Sequence, residues 1–192
     1  MKKRMLALLF AVMMLAGCGG NAEAPAEQET QTPVTAEEKM TEYLTALPEE
    51  VPAEDAAANG FYTIHDGAAE NQQVWDDFMA ACERGEEAEV VICQYTTKGG
   101  AVLDYVTHHA DGRYEVVTDT TRDGYFDEKS VLSPAKTYTA LTVLEDVTLT
   151  EGGKVYTIGV LSDDADLTPE EFRESWVHMT TEEDGIYMLY VI

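Results

Sequence analysis

The order of hydrophobic and polar positions along the chain predicts one strongly amphipathic helix among several strands. Trp75, Phe78, Met79 and Cys82 follow the spacing i, i+3, i+4 and i+7, which places all four side chains on one face of a helix. A face of this kind packs on a sheet far more often than it binds a ligand. We therefore predict that this helix covers one face of a sheet.

Two shorter helices flank it. Residues 36–46 have apolar positions at helical spacing, and Thr35 with Glu38 forms a capping box at the start. The pattern leaves open whether this helix docks on the folded domain or only extends the segment before it. The other short helix is predicted over residues 168–175, where a threonine cap precedes a proline at the first helical position.

Short segments rich in β-branched and aromatic residues, separated by turn residues, predict the strands. Asp111-Gly112 is typical of a two-residue hairpin turn, and Glu151-Gly152-Gly153 marks a second hairpin. The predicted strands are 61–64, 90–96, 101–109, 113–120, 136–144, 148–150, 154–160 and 186–191. Together these elements indicate an α+β fold: an antiparallel sheet of hairpins with one amphipathic helix packed on a face, plus short flanking helices.

The N-terminus has the organisation of a bacterial secretion signal. A basic segment, residues 2–4, precedes an apolar run, residues 5–16, that is short for a transmembrane helix. The run ends in Leu15-Ala16-Gly17-Cys18, which resembles the lipobox of bacterial lipoproteins. The resemblance implies that residues 1–17 are a signal peptide and that Cys18 receives diacylglycerol, with acyl chains such as palmitate. The chain is then extracytoplasmic and anchored to the membrane through this lipid.

Composition suggests where the folded part begins. From residue 19 to about residue 36 the chain consists mainly of Gly, Ala, Glu, Gln, Thr and Pro, which cannot bury enough apolar surface to form a core. We predict that residues 18–54 are the lipidated N-terminus and a flexible acidic tether that carries the possible short helix 36–46. Residues 55–192 are predicted to form a single globular domain.

The charge of the chain indicates which classes of partner it can bind. There are 37 acidic and 12 basic residues, for a net charge of −25, and this argues strongly against binding to nucleic acid. Hydrophobic residues make up 45% of the chain, which is enough for a core and excludes a disordered acidic polymer. Beyond the N-terminal run, no apolar stretch is long enough for a membrane span.

A series of motifs occupies the middle of the chain. They are Asn59-Gly60, a helix containing Trp75 and Phe78 that ends near Gly85, Gln94-Tyr95-Thr96, Gly99-Gly100 and Asp119-Thr120-Thr121-Arg122-Asp123. In this order they resemble a family of uncharacterised lipoprotein domains from Gram-positive bacteria, a domain of unknown function, over about residues 59–127. The most specific part is the Tyr-Thr … Asp-x-Thr-Arg-Asp motif. Because the family has no established activity, the resemblance implies a place on the Gram-positive cell surface and no mechanism.

The sequence has none of the common catalytic motifs. None of the four serines lies in a Gly-x-Ser-x-Gly elbow, and there is no His-Glu-x-x-His or Cys-x-x-Cys. His108 and His109 are neighbours on a predicted strand, so their side chains point to opposite faces. In the predicted register His108 faces Glu115, which we interpret as a cross-strand pair. We therefore predict no catalytic residue, no cofactor and no enzymatic activity; a carboxylate-based envelope hydrolase is the alternative.

A second alternative, a calcium-dependent adhesion module, rests on four acidic residues. Asp163, Asp164, Asp166 and Glu170 form a cluster of the oxygen ligands that Ca²⁺ prefers, but without the glycine and the spacing of an EF-hand loop. A solvated loop before a helix N-terminus accounts for the same residues. The sequence therefore favours a loop without a metal ion.

Two cysteines remain besides Cys18. Cys82 lies near the end of its predicted helix, and Cys93 lies several residues into the next strand. Because residues rise about twice as far along a strand as along a helix, the two positions differ by roughly 10 Å. That distance exceeds the reach of a disulfide, so we predict two free, buried thiols.

The hairpin also predicts a cluster of charges. A two-residue turn at Asp111-Gly112 places Asp104 opposite Asp119, and two opposed carboxylates repel each other. Arg122 is the nearby cation whose guanidinium suits carboxylates. We predict one cluster of Asp104, Asp119 and Arg122, with Asp123 starting the following turn. The cluster either fixes the exit from the hairpin, which we favour, or lets Arg122 recognise an anionic group of a partner.

These observations favour a lipid-anchored, extracytoplasmic domain that is a non-enzymatic binding or interaction module of the cell envelope. Its expected partners are the membrane, through the lipid on Cys18, and an envelope protein or peptide.

Overall fold

The computed structural model describes residues 34–123, 131–150 and 152–192. The predicted signal peptide, Cys18, residues 19–33 of the predicted tether and the turn expected after Asp123 lie outside these residues. The fold is α+β, as predicted. The described helices are α1 (Ala36–Ala46), α2 (Ala53–Ala58), α3 (Gln72–Glu83) and α4 (Pro169–His178). The described strands are β1 (Tyr62–His65), β2 (Ala68–Glu70), β3 (Ala88–Tyr95), β4 (Ala101–His108), β5 (Tyr114–Arg122), β6 (Lys136–Tyr138), β7 (Ala140–Thr148), β8 (Val155–Ser162) and β9 (Ile186–Val191).

The described strands form two sheets instead of one. Sheet A has the order β2-β1-β3-β4-β5-β6, and sheet B has the order β7-β8-β9. The pairs are antiparallel except β1 with β3, which run parallel because the intervening α3 carries the chain back along the sheet. The strand predicted over residues 136–144 is two strands, because the chain leaves sheet A after Tyr138 and enters sheet B at Ala140.

Helix α3 packs on sheet A with the face that the sequence predicts. Trp75 and Phe78 are buried, and Met79 and Cys82 are partly buried against the same core. This core also contains side chains of sheet B, since the ring of Tyr190 in β9 makes an edge-to-face contact with Trp75 at 5.2 Å between ring centroids. One face of sheet A is therefore covered by α3 and sheet B together.

The opposite face of sheet A is covered by α1. Met40 and Leu44 are completely buried there, in a core that includes Leu103 and Val117 of sheet A. The helix over residues 36–46 thus docks on the domain, which settles the alternative that the sequence left open. The compact part of the chain begins at Val34, so the boundary predicted at residue 55 moves towards the N-terminus.

The outer face of sheet B is covered by α4 through Phe172, which is fully buried against Leu144, Ile158 and Val160. A capping box of Thr168 and Glu171 begins this helix. The described residues are thus layered as α1 and α2, sheet A, α3 with sheet B, and α4. None of the described helices has the length and apolar character needed to cross a membrane.

Candidate functional site

The β4–β5 hairpin turns through three residues, 110–112, instead of the two predicted. The backbone N–H of His109 donates to the carbonyl of Arg113 (2.9 Å), so these two residues still pair. Gly112 has a φ of +86°, the left-handed conformation typical of the last position in a three-residue hairpin loop. When the pairing of two strands shifts by one residue, a side chain and its predicted partner come to lie on opposite faces of the sheet.

The predicted cluster of Asp104, Asp119 and Arg122 is therefore wrong as a single cluster. Asp104 pairs with Thr118, and Asp119 pairs with Leu103. Asp104 faces sheet B, where it accepts a hydrogen bond from β9, whereas Asp119 faces the α1 side and contacts Arg122. The two carboxylates lie on opposite faces of sheet A and do not oppose each other.

Arg122 joins β5 to the end of α1. Its guanidinium forms an ion pair with Asp119, and the two side chains are only 7% and 3% exposed. Nε donates to the carbonyl of Pro48 (2.7 Å), and Nη2 donates to those of Leu44 (3.1 Å) and Leu47 (3.0 Å). A helix leaves carbonyls without intrahelical partners at its C-terminal end and favours positive charge there. The geometry therefore favours the structural role of Arg122, because its donors are turned away from solvent.

The other residues of the Asp-x-Thr-Arg-Asp motif hold the same corner together. Asp119 Oδ1 accepts from the backbone N–H (2.8 Å) and the hydroxyl (2.6 Å) of Thr121. Asp123 is fully buried, and its Oδ1 accepts from the hydroxyl of Thr96 (3.0 Å). A Cβ atom on Gly100 would lie 2.6 Å from the Cα of Asp123, so this close approach requires glycine.

A cleft with a volume of about 580 Å³ opens at this end of sheet A, and we call it the sheet-end cleft. One wall is residues 49–54, which join α1 to α2, and the other is residues 98–101, which join β3 to β4. Tyr95 lies between them; its hydroxyl donates to the carbonyl of Val51 (2.5 Å), and its ring makes an edge-to-face contact with His65 (5.3 Å). Burial raises the pKa of the Tyr95 hydroxyl, which therefore stays protonated as a donor.

The sheet-end cleft has an acidic wall. Glu49, Glu50 and Glu54 line it and are exposed. Lys98 and Arg122 also line the cleft, but the guanidinium of Arg122 is directed at Asp119 and at the backbone carbonyls of α1. The arrangement suits a cationic group that meets carboxylates on one side and an aromatic ring on the other.

A second polar group, which the sequence did not predict, lies between the two sheets. Asp104 Oδ1 accepts hydrogen bonds from the hydroxyls of Thr118 (2.7 Å) and Tyr187 (2.7 Å), and these two hydroxyls are also 2.7 Å apart. Burial raises the pKa of Asp104 to about 6. The available signal was an acidic residue inside the apolar segment 101–106, but nothing in the local sequence points to β9, which supplies Tyr187.

The two histidines point to opposite faces of the sheet, and His108 does not have its predicted partner, Glu115. His108 Nδ1 is 2.7 Å from the carbonyl oxygen of Glu86, and its ring lies 4.8 Å from that of Tyr114. The pairing of His108 with Glu115 is wrong, because the register shift brings His109 to Glu115 instead (Nε2 to Oε2, 2.9 Å). Both contacts lie next to the loop that closes the hairpin.

Asp163, Asp164 and Asp166 lie in the loop before α4, and Glu170 lies in the first turn of that helix. No group of three or more His, Cys, Asp or Glu side chains in the described part of the chain is arranged to hold a metal ion, and this includes Asp163, Asp164, Asp166 and Glu170. The backbone N–H of Asp166 donates to Oδ1 of Asp164 (2.9 Å), a contact of the loop with itself.

Both described cysteines have free thiols, as predicted. Cys82 packs against the core on the α3 side of sheet A, and Cys93 is fully buried on the α1 side. The sheet separates the two thiols, and burial raises the pKa of the Cys93 thiol to about 11.

The chain matches no protein-family model, and no curated protein or solved structure is significantly similar to it.

Proposed function

We propose that this chain is a lipid-anchored, extracytoplasmic domain that binds a cationic segment of an envelope protein or peptide in the sheet-end cleft, without catalysing a reaction. The observation that carries the proposal is the cleft itself: about 580 Å³ of open space with Glu49, Glu50 and Glu54 on one wall and the ring of Tyr95 beside them. The carboxylates would attract a cationic group of the ligand, and the aromatic ring would orient it.

The charge of the chain favours a cationic ligand. A net charge of −25 attracts cations over a distance comparable to the Debye length, about 8 Å at physiological salt. Exposed carboxylates keep most of their hydration, so Glu49, Glu50 and Glu54 accept a lysine or arginine of a ligand without a large desolvation cost. An anionic ligand would meet repulsion from the same groups.

One wall of the cleft is held in place by hydrogen bonds from Arg122 and Tyr95, which favours binding without a large ordering cost. Arg122 fixes the start of residues 47–54 through the carbonyls of Leu47 and Pro48, and Tyr95 fixes the middle through the carbonyl of Val51. A site whose backbone is already ordered loses little conformational entropy when the ligand binds.

Binding is tested on the mature chain with a fluorescein-labelled lysine-rich peptide and a glutamate-rich peptide of equal length. In fluorescence anisotropy at physiological salt, only the lysine-rich peptide is expected to bind. The triple variant Glu49→Gln, Glu50→Gln and Glu54→Gln should weaken binding by at least about tenfold, which corresponds to about 1.4 kcal/mol.

The matched control changes the same number of charges elsewhere. In the variant Glu170→Gln, Glu174→Gln and Glu183→Gln, three exposed carboxylates near sheet B are neutralised. This variant should retain the affinity of the wild type within about twofold. An equal loss in both triple variants would show that only the net charge matters and would overturn the cleft as the site.

The anchoring is tested separately. The lipobox at Leu15-Ala16-Gly17-Cys18 supports lipidation of Cys18, so Cys18→Ala is expected to move the protein from the membrane fraction to the soluble fraction of cells. Cys82→Ala is the control thiol substitution and should leave fractionation unchanged. If the Cys18→Ala protein remained in the membrane fraction like the wild type, lipid anchoring would be wrong.

A further inference from the structure

One carboxyl group is buried between the two sheets among apolar side chains. Asp104 of β4 is 4% exposed, and the groups that contact its Oδ1 are the hydroxyls of Thr118 in β5 and Tyr187 in β9. Two strands of sheet A and one strand of sheet B therefore meet at a single oxygen atom. We call Asp104, Thr118 and Tyr187 the inter-sheet triangle.

The triangle has fewer protons than contacts when Asp104 is ionised. Each of its three oxygen–oxygen distances is 2.7 Å, the usual length of an O–H···O hydrogen bond, and each such bond needs one proton. The hydroxyls of Thr118 and Tyr187 supply two protons, and a carboxylate supplies none. One of the three oxygen–oxygen contacts, the edges of the triangle, then has no proton between its two oxygen atoms. A proton on Oδ1 of Asp104 gives three donors for three edges.

We propose that the inter-sheet triangle is a proton-binding site: Asp104 takes up a proton in the folded protein, and this proton strengthens the contact between sheet A and sheet B. The proposal goes beyond the binding function and does not depend on it. The contact between the two sheets thereby depends on pH and is strongest in mildly acidic solution.

The surroundings of the triangle agree with this assignment. Among the described residues, the other titratable groups that interact with Asp104 or Tyr187 are Tyr138 of β6, whose ring centroid is 6.2 Å from that of Tyr187, and the thiol of Cys93 in β3, which lies on the opposite face of sheet A. Burial raises the pKa of Tyr138, and the negative charges of Asp163 and Glu182 raise it further, so the charges acting from that side are negative. Burial is the largest influence on the Asp104 carboxyl, and the two hydroxyl hydrogen bonds only partly oppose it.

The direction of the pH dependence follows from the folded and unfolded pKa values. The pKa of Asp104 is about 6 in the folded protein and about 3.9 in an unfolded chain. Between these values the folded state binds the proton more tightly, so the contribution of Asp104 to stability decreases as pH rises from about 4 to about 6. Above this window the ionised form remains, with one edge of the triangle lacking a proton.

The direct test is a carbon NMR titration of the Asp104 carboxyl in the wild-type mature chain, with its resonance assigned in the wild-type spectra. A titration midpoint near pH 6 is expected. A midpoint at or below about pH 4 would mean that the folded protein holds an ordinary carboxylate, and the proposal would fail. This measurement does not require any variant to be stable.

A second test compares melting temperatures at pH 5 and pH 7.5. The amide of Asp104→Asn does not titrate, so the stability of the wild type relative to this variant should be higher at pH 5 than at pH 7.5. Glu42→Gln on the exposed face of α1 is the control for the general effect of removing one negative charge, and its difference from the wild type should not change in this way. The same difference at both pH values for Asp104→Asn would overturn the proposal.

Discussion

The buried ion pair of Arg122 and Asp119 allows a strong test of the structure. The substitution Arg122→Met keeps a long apolar side chain but removes the charge and every donor of the guanidinium. It leaves the carboxylate of Asp119 buried with the two hydrogen bonds from Thr121 and without a cation. The carbonyls of Leu44, Leu47 and Pro48 lose their donor as well.

The expected loss is large because the side chains of the pair are only 7% and 3% exposed. Breaking a buried ion pair by removing one partner costs about 3–5 kcal/mol. In a domain of this size, 1 kcal/mol corresponds to about 2–4 °C in melting temperature, so Arg122→Met should melt about 6–20 °C lower than the wild type.

The assay is thermal unfolding of the mature chain, followed by circular dichroism, with urea unfolding as a check. The control is Arg113→Met, which breaks the exposed pair of Arg113 and Asp111 in the hairpin loop (2.9 Å, side chains 52% and 56% exposed). An exposed pair contributes little, so the control should lie within about 0.5 kcal/mol of the wild type.

Two further results decide whether the reasoning is correct. Replacing the pair by apolar residues, as in Asp119→Leu combined with Arg122→Met, should recover part of the lost stability, because no carboxylate is then left buried without its cation. Amide exchange in α1 should be faster in Arg122→Met, since the carbonyls of the last turn of α1 lose their hydrogen bonds to the guanidinium. If Arg122→Met and Arg113→Met melt at the same temperature, the buried contact of Arg122 with α1 is wrong.

Three further predictions follow from close contacts and burial. In Gly159→Ala a new Cβ would lie 2.2 Å from the ring of Tyr190, so urea unfolding should show a loss of about 1–3 kcal/mol; unchanged stability would contradict this packing. In Gly100→Ala the Cβ would lie 2.6 Å from the Cα atom of the residue that follows β5, with a similar loss in the same assay, and an unaltered unfolding midpoint would argue against this approach. Iodoacetamide should modify Cys82 before Cys93 in the native protein, since Cys93 is fully buried, and both thiols once the protein is denatured without reductant; protection of both in that state would reveal a disulfide.

Local periodicity was sufficient to predict the helices with amphipathic faces. The face of α3 was identified from four positions, and the structure places Trp75 and Phe78 in the core as that spacing requires. The capping box at Thr35 and the threonine cap at Thr168 are present as predicted, because a cap involves residues only three positions apart. Docking of α1 was not predictable, since it depends on sheet residues far along the chain.

Two of the Asp-Gly dipeptides, at residues 66–67 and 111–112, show why the register was missed. Asp66-Gly67 closes the β1–β2 hairpin with positive φ at both residues (+53° and +73°), which is a two-residue turn. In Asp111-Gly112 only the glycine has a positive φ, and the loop has three residues. The same dipeptide therefore fits both loops, and the pairing of the flanking strands decides between them. A one-residue error then moved Asp104 and Asp119 onto the same face.

Long-range contacts account for the rest of what the sequence did not predict. Asp104 and Tyr187 are 83 positions apart, and Arg122 lies 74 positions from Pro48. Neither pair has a local pattern, because each is brought together only when two sheets, or a sheet and a helix, pack. The buried acid in β4 required a donor, but the donor could be identified only in the fold.

The residues of the Tyr-Thr … Asp-x-Thr-Arg-Asp motif mainly hold backbone segments in place. Tyr95 binds the carbonyl of Val51, and Arg122 binds three carbonyls at the end of α1. Their side chains fix the frame of the sheet-end cleft, whereas the exposed carboxylates that would meet a ligand lie in residues 49–54, outside the motif. We therefore expect domains that share this motif to share the frame of the cleft and to differ in ligand according to the charges between α1 and α2. Exchanging residues 49–54 for a neutral segment that keeps the buried Val51 should then abolish binding of the lysine-rich peptide while leaving the melting temperature within a few degrees of the wild type. A large drop in melting temperature would show that this segment belongs to the frame itself, and that binding and folding cannot be separated at this end of the sheet.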